Sequence, residues 1–252
     1  MGEGRKVFLT GGEGFIGSNL HDKLVDAGYE VHKHIGDIRD INDDTAKGWP
    51  SGYDFVIHLA AMAGVRQSHL QPDEYWSVNV EVSKKVFETE WGPCTKILYA
   101  SSSSIYQWWK SPYSMTKKAM EAIAPEGSLG LRFFTVYGPG SRGDMFFDKL
   151  LKDRIKYVTD HTRDWTHVDD VTDAIMLLLE EGDDITGAID VGSGQPCTVE
   201  EVVEYYGKGP YPFKEVEGEA TYTCSNSFVL ESLGWKPKHN ILTEDISEYI
   251  TE

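Results

Sequence analysis

Residues 10–17 read Thr10-Gly11-Gly12-Glu13-Gly14-Phe15-Ile16-Gly17, and what flanks them constrains the fold more than any other feature of the chain. The apolar run Lys6-Val7-Phe8-Leu9 precedes them as a strand, and Leu20, Leu24 and Val25 follow on one face of a helical pattern. A strand, a glycine turn and a helix in that order make a cradle for a dinucleotide. Gly11 or Gly12 permits the tight turn, and Gly14 lets backbone N–H groups approach a pyrophosphate. Gly17 lets the helix lie close to the strand, with its positive end toward the phosphates. A purely structural turn is the competing reading, and the strand before and helix after favour the nucleotide site.

Further strands are expected at Val31–Ile35, Phe55–Ala60, Ile97–Ser101 and Leu129–Phe134, with helices near 73–90, 114–124, 168–181 and 198–206. The alternation predicts an α/β fold with a doubly wound parallel sheet. From about Phe146 the pattern turns less regular. The expected division is a nucleotide-binding domain over 1–145, rejoined by a segment at about 164–192, and a small substrate-binding region from 146–163 and 193–252. Ligands of open α/β sheets bind at the carboxyl ends of the strands.

The 252 residues, 40% hydrophobic, suffice for one full core. With 24 basic against 41 acidic residues the net charge is -17, a surface that repels nucleic acid and anionic membranes. An anionic ligand would therefore need locally concentrated arginines. Cys94, Cys197 and Cys224 are odd in number and far apart, which suggests neither a disulfide framework nor a metal site and fits a reducing cytoplasm. The start of the chain carries no apolar stretch fit for a signal peptide or a membrane span. Lys6 stands where a myristoylation signal needs Ser or Thr.

A second constellation lies at Tyr99-Ala100-Ser101-Ser102-Ser103-Ser104-Ile105-Tyr106, followed by Tyr113 and Lys117. A Tyr-x-x-x-Lys pair on a helix puts both side chains on one face, where an ammonium can lower the phenol's pKa and make it a usable base. Three such pairs occur. Tyr29/Lys33 falls in a strand region and Tyr106/Lys110 in a tryptophan-rich turn. Tyr113/Lys117 opens a helix just beyond the serine-rich strand end. His58 reads as a packed strand-end histidine, and His161 with His167 lacks metal-ligand company.

In this order the residues resemble the extended short-chain dehydrogenase/reductases, specifically their NAD-dependent nucleotide-sugar epimerases. The resemblance covers nearly the whole chain. It includes Gly36-Asp37-Ile38-Arg39-Asp40, His58-Leu59-Ala60-Ala61, Asn79, the run from Leu131 to Pro139, the run from Arg163 to Asp170, and Leu233 to Pro237. It implies a Rossmann-type fold and Ser102, Tyr113 and Lys117 as the catalytic set. The cofactor-binding residues it implies are Gly11, Gly14, Phe15, Ile16, Gly17, Asp37, Ile38, Leu59, Ala60, Ala61, Asn79, Ala100, Ser101, Tyr113, Lys117 and Phe133. The implied chemistry is removal of the C4 hydroxyl proton by Tyr113 while NAD takes the C4 hydride. The hydride then returns to the opposite face of a 4-keto sugar.

Dehydrating relatives resemble Thr-Asp-Glu at the serine-rich strand end, and decarboxylating ones carry a Glu before the hydrophobic-Tyr pair. Ser103 and Ser104 stand here instead, which favours epimerisation. Ala63-Gly64-Val65-Arg66 and the stretch from Phe133 to Met145 look like UDP-glucuronate 4-epimerases, which implies UDP-glucuronate as the substrate. Arg66, Ser102, Ser103, Thr135, Arg142 and Arg163 then become the substrate-binding residues. Arg142 is matched to the sugar carboxylate, which a guanidinium fork pairs bidentately, and Arg163 to the diphosphate. The alternatives are UDP-glucose epimerisation, a dehydratase, decarboxylase or reductase, and a non-catalytic nucleotide-binding module. A homodimer is possible on this resemblance.

The chain departs from the family's pattern in three places. A second diphosphate arginine is expected where Val216-Glu217-Gly218-Glu219 stands. The acid that binds the adenosine ribose aligns with Ile35; Asp37 follows closely, and Lys33 and His34 leave NADP open. Finally, Val31–Ile35 runs straight into Gly36-Asp37-Ile38, where a βα unit would need at least about ten residues. The second helix and third strand are therefore expected to be absent, with the second strand at the sheet edge.

Overall fold

The computed structural model describes residues 4–41 and 48–249. Six parallel strands form the main sheet: β1 (Lys6–Thr10), β2 (Glu30–Lys33), β3 (Phe55–His58), β4 (Lys96–Ser102), β5 (Leu129–Phe133) and β8 (Gly187–Val191), in the order β2-β1-β3-β4-β5-β8. A smaller sheet holds β6 (Thr135–Tyr137), β7 (Thr162–His167) and β9 (Pro196–Thr198). This is the Rossmann-like α/β fold expected from the alternating pattern.

The strands are apolar on both faces because both are covered. In β1, Val7 and Leu9 face a core shared with α1 (Phe15–Asp26), through Leu20 and Leu24, while Phe8 faces the opposite core. Leu98 and Tyr99 of β4 divide in the same way, as period-two side chains must. The first core also takes Val171, Ile175 and Leu178 of the helix Val168–Glu181. A separate cluster of Tyr137, Phe147, Trp165, Val202 and Ile241 lies under the small sheet.

The expected shortening is present. Among the described residues no strand lies beyond β2, which pairs only with β1, and residues 42–47 fall outside the description. The strand also ends at Lys33 rather than Ile35. Pairing with β1 runs out at Leu9, and Ile35 is 82% exposed.

Aromatic rings cover the face of β1 opposite α1. Trp49 stacks on Trp91 with centroids 5.3 Å apart and lies 5.0 Å from Phe8, and Tyr53 closes the group at 5.4 Å from Phe8. The Tyr53 hydroxyl also pairs with His32 Nδ1 at 2.6 Å, which ties the edge strand to the cluster. Indole rings bury a large area without a regular backbone element, so a short segment can do the work of a helix. Among the described residues no helix is long and apolar enough to cross a membrane.

Trp91 is 3% exposed at the centre of this cluster. Trp91→Ala is expected to destabilise the fold by about 3–5 kcal/mol, measured by urea unfolding. A loss under about 1 kcal/mol would show that the aromatic cluster is not what seals this face.

Candidate active site

The glycine turn has the close contacts that a cradle requires. Gly11 has φ +71°, and a Cβ there would sit 2.6 Å from the Ala60 backbone nitrogen, just past β3. A Cβ on Gly17 would lie 2.0 Å from the Gly11 carbonyl oxygen, so only glycine lets α1 approach its own turn. Gly14 caps α1 without a side chain, leaving the first-turn N–H groups of Phe15 and Ile16 directed at the turn. Beside it opens a cleft of about 400 Å³ lined by the glycine turn, His34, Gly36 to Arg39, Ala60 to Met62 and Val78. Asn79 holds the Ala60 to Met62 wall: its amide nitrogen donates to the Met62 carbonyl at 2.9 Å and its oxygen accepts the Met62 N–H at 2.8 Å. Leu59 is fixed by its N–H to the Thr10 carbonyl.

These residues fit a dinucleotide. The cradle cannot accept side chains, and His34, which lines the cleft, carries a buried Nε2 with no partner among the described residues. The ribose acid differs from expectation. Asp37 lines the cleft, but it caps the turn Ile38–Asp40 and receives Arg39 Nε on both carboxylate oxygens at 2.9 Å. That hydrogen-bonded pairing holds its pKa at about 2. Asp37 thus meets a ligand as half of an ion pair, and Ile35 points to solvent.

The second constellation assembles at the carboxyl end of β4. Ser102 ends the strand, and its Oγ accepts the Ser104 N–H at 3.2 Å to cap the turn beginning at Ser103. The helix Pro112–Ile123 starts with Ser111 as its cap and Pro112 in its first turn, so Tyr113 enters at the helix mouth. Lys117 follows one turn later. Its Nζ donates to the Ala100 carbonyl at 2.7 Å and lies 5.9 Å from the Tyr113 ring centroid. Burial pulls the Lys117 pKa down to about 7, with Glu121 opposing. Burial likewise pushes the Tyr113 phenol up, against a hydrogen bond to Ser102 and the positive charge of Arg142. The sequence assigned that lowering to Lys117. Here it comes from Ser102 and Arg142, while the Lys117 proton is bonded to strand β4.

The other candidate pairs separate. Tyr29 accepts Arg5 Nη2 at 2.9 Å inside the core, and Tyr106 donates to Asp190 at 2.5 Å. Ser101 points away from Ser102 and donates to Glu121 at 2.5 Å, so its hydroxyl is committed to the interior. His58 is buried between Thr10 Oγ1 (2.7 Å) and Ser83 Oγ (2.9 Å), and burial lowers its pKa to about 3, as suits a structural residue. Phe133 is buried at the end of β5, and Thr135, half-buried, opens β6.

Of the three arginines, Arg142 stands on the phenol's side of the site, with Nε 3.1 Å from Asp144. Arg66 and Arg163 converge elsewhere, on Glu219. Arg66 Nε donates to Oε1 at 2.7 Å and Arg163 Nη2 to Oε2 at 3.2 Å. Arg66 Nη1 also reaches the Tyr157 hydroxyl and Arg163 Nη2 reaches His161 Nδ1, at 2.9 and 2.8 Å. Sequence reasoning missed Glu121 and Tyr157, weighed His161 only as a metal ligand, and gave Glu219 no role. Only Glu219 left a signal, as an acid in the stretch where an arginine was sought. His167, Asp169 and His239 also gather, but the two imidazoles stack at 4.0 Å and His167 Nδ1 already accepts the Asp169 N–H. Stacked rings aim their lone pairs along parallel planes rather than at one ion.

Comparison with known proteins finds relatives in sequence and in structure. Protein CapI of Staphylococcus aureus is 31% identical, covering 70% of this chain and 70% of its own. UDP-glucuronate 4-epimerase 5 of Arabidopsis thaliana is 34% identical over 53% of this chain and 38% of its own. Among solved structures, MoeE5 in complex with UDP-glucuronic acid and NAD superposes with a TM-score of 0.83 at 28% identity, over 94% of this chain and 95% of that one. The UDP-glucuronic acid 4-epimerase from Bacillus cereus, with UDP-glucuronic acid and NAD, gives 0.81 at 25% identity over the same shares. The model of the NAD dependent epimerase/dehydratase family matches residues 7–192, and the chain belongs to that family.

Proposed function

We propose that the protein inverts C4 of a UDP-linked uronate, interconverting UDP-glucuronate and UDP-galacturonate. The observation that carries this reading is Arg142, whose positive charge acts on the buried Tyr113 phenol while its guanidinium pairs with the exposed Asp144. A cation there offers a bidentate seat for a sugar carboxylate while the neighbouring C4 hydroxyl meets the phenol. The likenesses to MoeE5 with UDP-glucuronic acid and to UDP-glucuronate 4-epimerases support the same substrate class, and the absence of an acidic residue at Ser103 and Ser104 supports epimerisation over dehydration.

NAD, when bound in the cleft, supplies a hydride acceptor and donor. Gly11, Gly14 and Gly17 with the N–H groups of Phe15 and Ile16 would hold its pyrophosphate, Asp37, Ile38 and the Leu59 to Ala61 wall its adenosine half, and Lys117 its nicotinamide ribose. Ala100, Ser101 and Phe133 would line the nicotinamide end through their backbone or ring. The protein's own part is to move one proton. Tyr113 Oη accepts the C4 hydroxyl proton in the oxidative half and returns it in the reductive half, with Ser102 Oγ positioned by the Ser104 N–H to share it. Burial keeps water from the exchange. Ser103 and Thr135 would border the sugar, and Arg66 and Arg163 the diphosphate. The three free cysteines suit a reducing cytoplasm, where this chemistry would take place.

Tyr113→Phe is expected to lower kcat about a hundredfold or more. Ser102→Ala should cost less but shift the ascending limb of the pH–rate profile to higher pH, because the lost hydrogen bond held the phenol's pKa down. A profile that moves to lower pH, or full activity in Tyr113→Phe, would remove Tyr113 as the base.

Proton NMR of the protein with UDP-glucuronate is expected to show UDP-galacturonate accumulating with no net consumption of NAD. Arg142→Ala should impair uronate turnover at least about tenfold while leaving the Kd for UDP unchanged. Faster epimerisation of UDP-glucose than of the uronate, or release of carbon dioxide, would contradict the assignment.

A further inference from the structure

The anion seat contains an anion of its own. Glu219 presents one carboxylate oxygen to Arg66 and the other to Arg163, with His161 Nδ1 3.5 Å from the second. We propose that Glu219 is an internal counter-anion seated where a nucleoside diphosphate binds, so that the ligand enters by displacing this carboxylate from Arg66 and Arg163. The inference rests on the reading above in which these two arginines face the diphosphate.

Three observations support it. First, Arg163 is largely buried, its side chain 14% exposed, and Glu219 is the main opposing charge that keeps its guanidinium ionised against desolvation. A buried guanidinium without an anion is costly, so something must fill the seat before the ligand arrives. Second, the backbone that carries Glu219 is anchored. Bridges pair Val158 with Phe213 and Thr162 with Tyr222 on either side, Lys110 Nζ donates to the Glu219 carbonyl at 3.0 Å, and Arg163 Nη1 donates to the Ala220 carbonyl. Release therefore needs only side-chain torsions of Glu219, with the arginines held in place. Third, the stretch supplies an acid where the resemblance calls for a second arginine, so the seat is neutralised rather than reinforced. An exchange of this kind favours a ligand that carries more negative charge than one carboxylate, which a diphosphate does.

The test is calorimetric titration of the full chain with UDP and with inorganic pyrophosphate, which carries neither base nor sugar. Glu219→Gln keeps the shape and removes the competing charge. It is expected to tighten both ligands about tenfold, equivalent to about 1.4 kcal/mol, and the gain should vanish in the Glu219→Gln/Arg163→Gln double variant. Glu219→Asp, with a shorter reach, should give an intermediate gain, and it decides the matter if the Gln variant does not fold by thermal melting. Unchanged or weaker pyrophosphate binding in the folded variants would overturn the proposal and show that the carboxylate only orients the arginines. Turnover of UDP-glucuronate by the wild-type protein is read separately. Pyrophosphate tightening without uronate turnover would leave the exchange standing and defeat the substrate assignment, and turnover without tightening would do the reverse.

Discussion

Desolvation at the carboxyl end of β4 is the constraint on which the chemistry depends. Tyr113 and Lys117 are both withdrawn from water, and burial works against the charged form of each: the phenol is pushed up and the ammonium down to about 7. A pair left to burial alone would be inert at neutral pH. The Lys117 ammonium is anchored to the Ala100 carbonyl, while Ser102 and Arg142 pull the phenol back toward ionisation. The site therefore depends on compensation by neighbours drawn from strand β4, Ala100 and Ser102, and from the loop that carries Arg142.

Those neighbours meet because the sheet is built tightly. Gly17 allows α1 to touch its own turn, and Gly11 allows the turn to touch the strand beside it, so the cofactor cleft and β4 share one frame. At the far edge the frame is economical. The cluster of Phe8, Trp49, Tyr53 and Trp91 closes the face of β1 opposite α1, and among the described residues β2 is the edge strand. Its alternating exposure and its charged Glu30 and Lys33 make it a poor template for pairing with another chain.

The sequence disclosed what local spacing encodes. The glycine turn and the one-turn spacing of Tyr113 and Lys117 are short-range patterns, and each takes the place in the fold that the spacing implies. The missing βα unit was legible for the same reason, since it is a matter of counting residues. What remained hidden is long-range. Glu219 is 153 residues from Arg66 and 56 from Arg163, and no periodicity connects them. Glu121, which bonds both Ser101 and Arg132, reads in sequence as an ordinary helix glutamate. Asp37 lines the cleft, but its pairing was equally hidden. A suitable acid in a suitable place is committed to Arg39, two residues away, because the turn that carries it also needs a cap.

The central claim is that the protein handles only the hydroxyl proton, and that the C4 hydrogen travels as hydride without meeting solvent. The most direct test is turnover of UDP-glucuronate deuterated at C4, with the label followed by NMR and mass spectrometry. The account predicts epimerised product that retains deuterium at C4, and no uptake of solvent deuterium at C4 or C5 when unlabelled substrate is turned over in D2O. Exchange of the C4 label with water, or deuterium gained at C5, would mean inversion through carbon deprotonation and would contradict the role given to the Ser102, Tyr113 and Lys117 cluster.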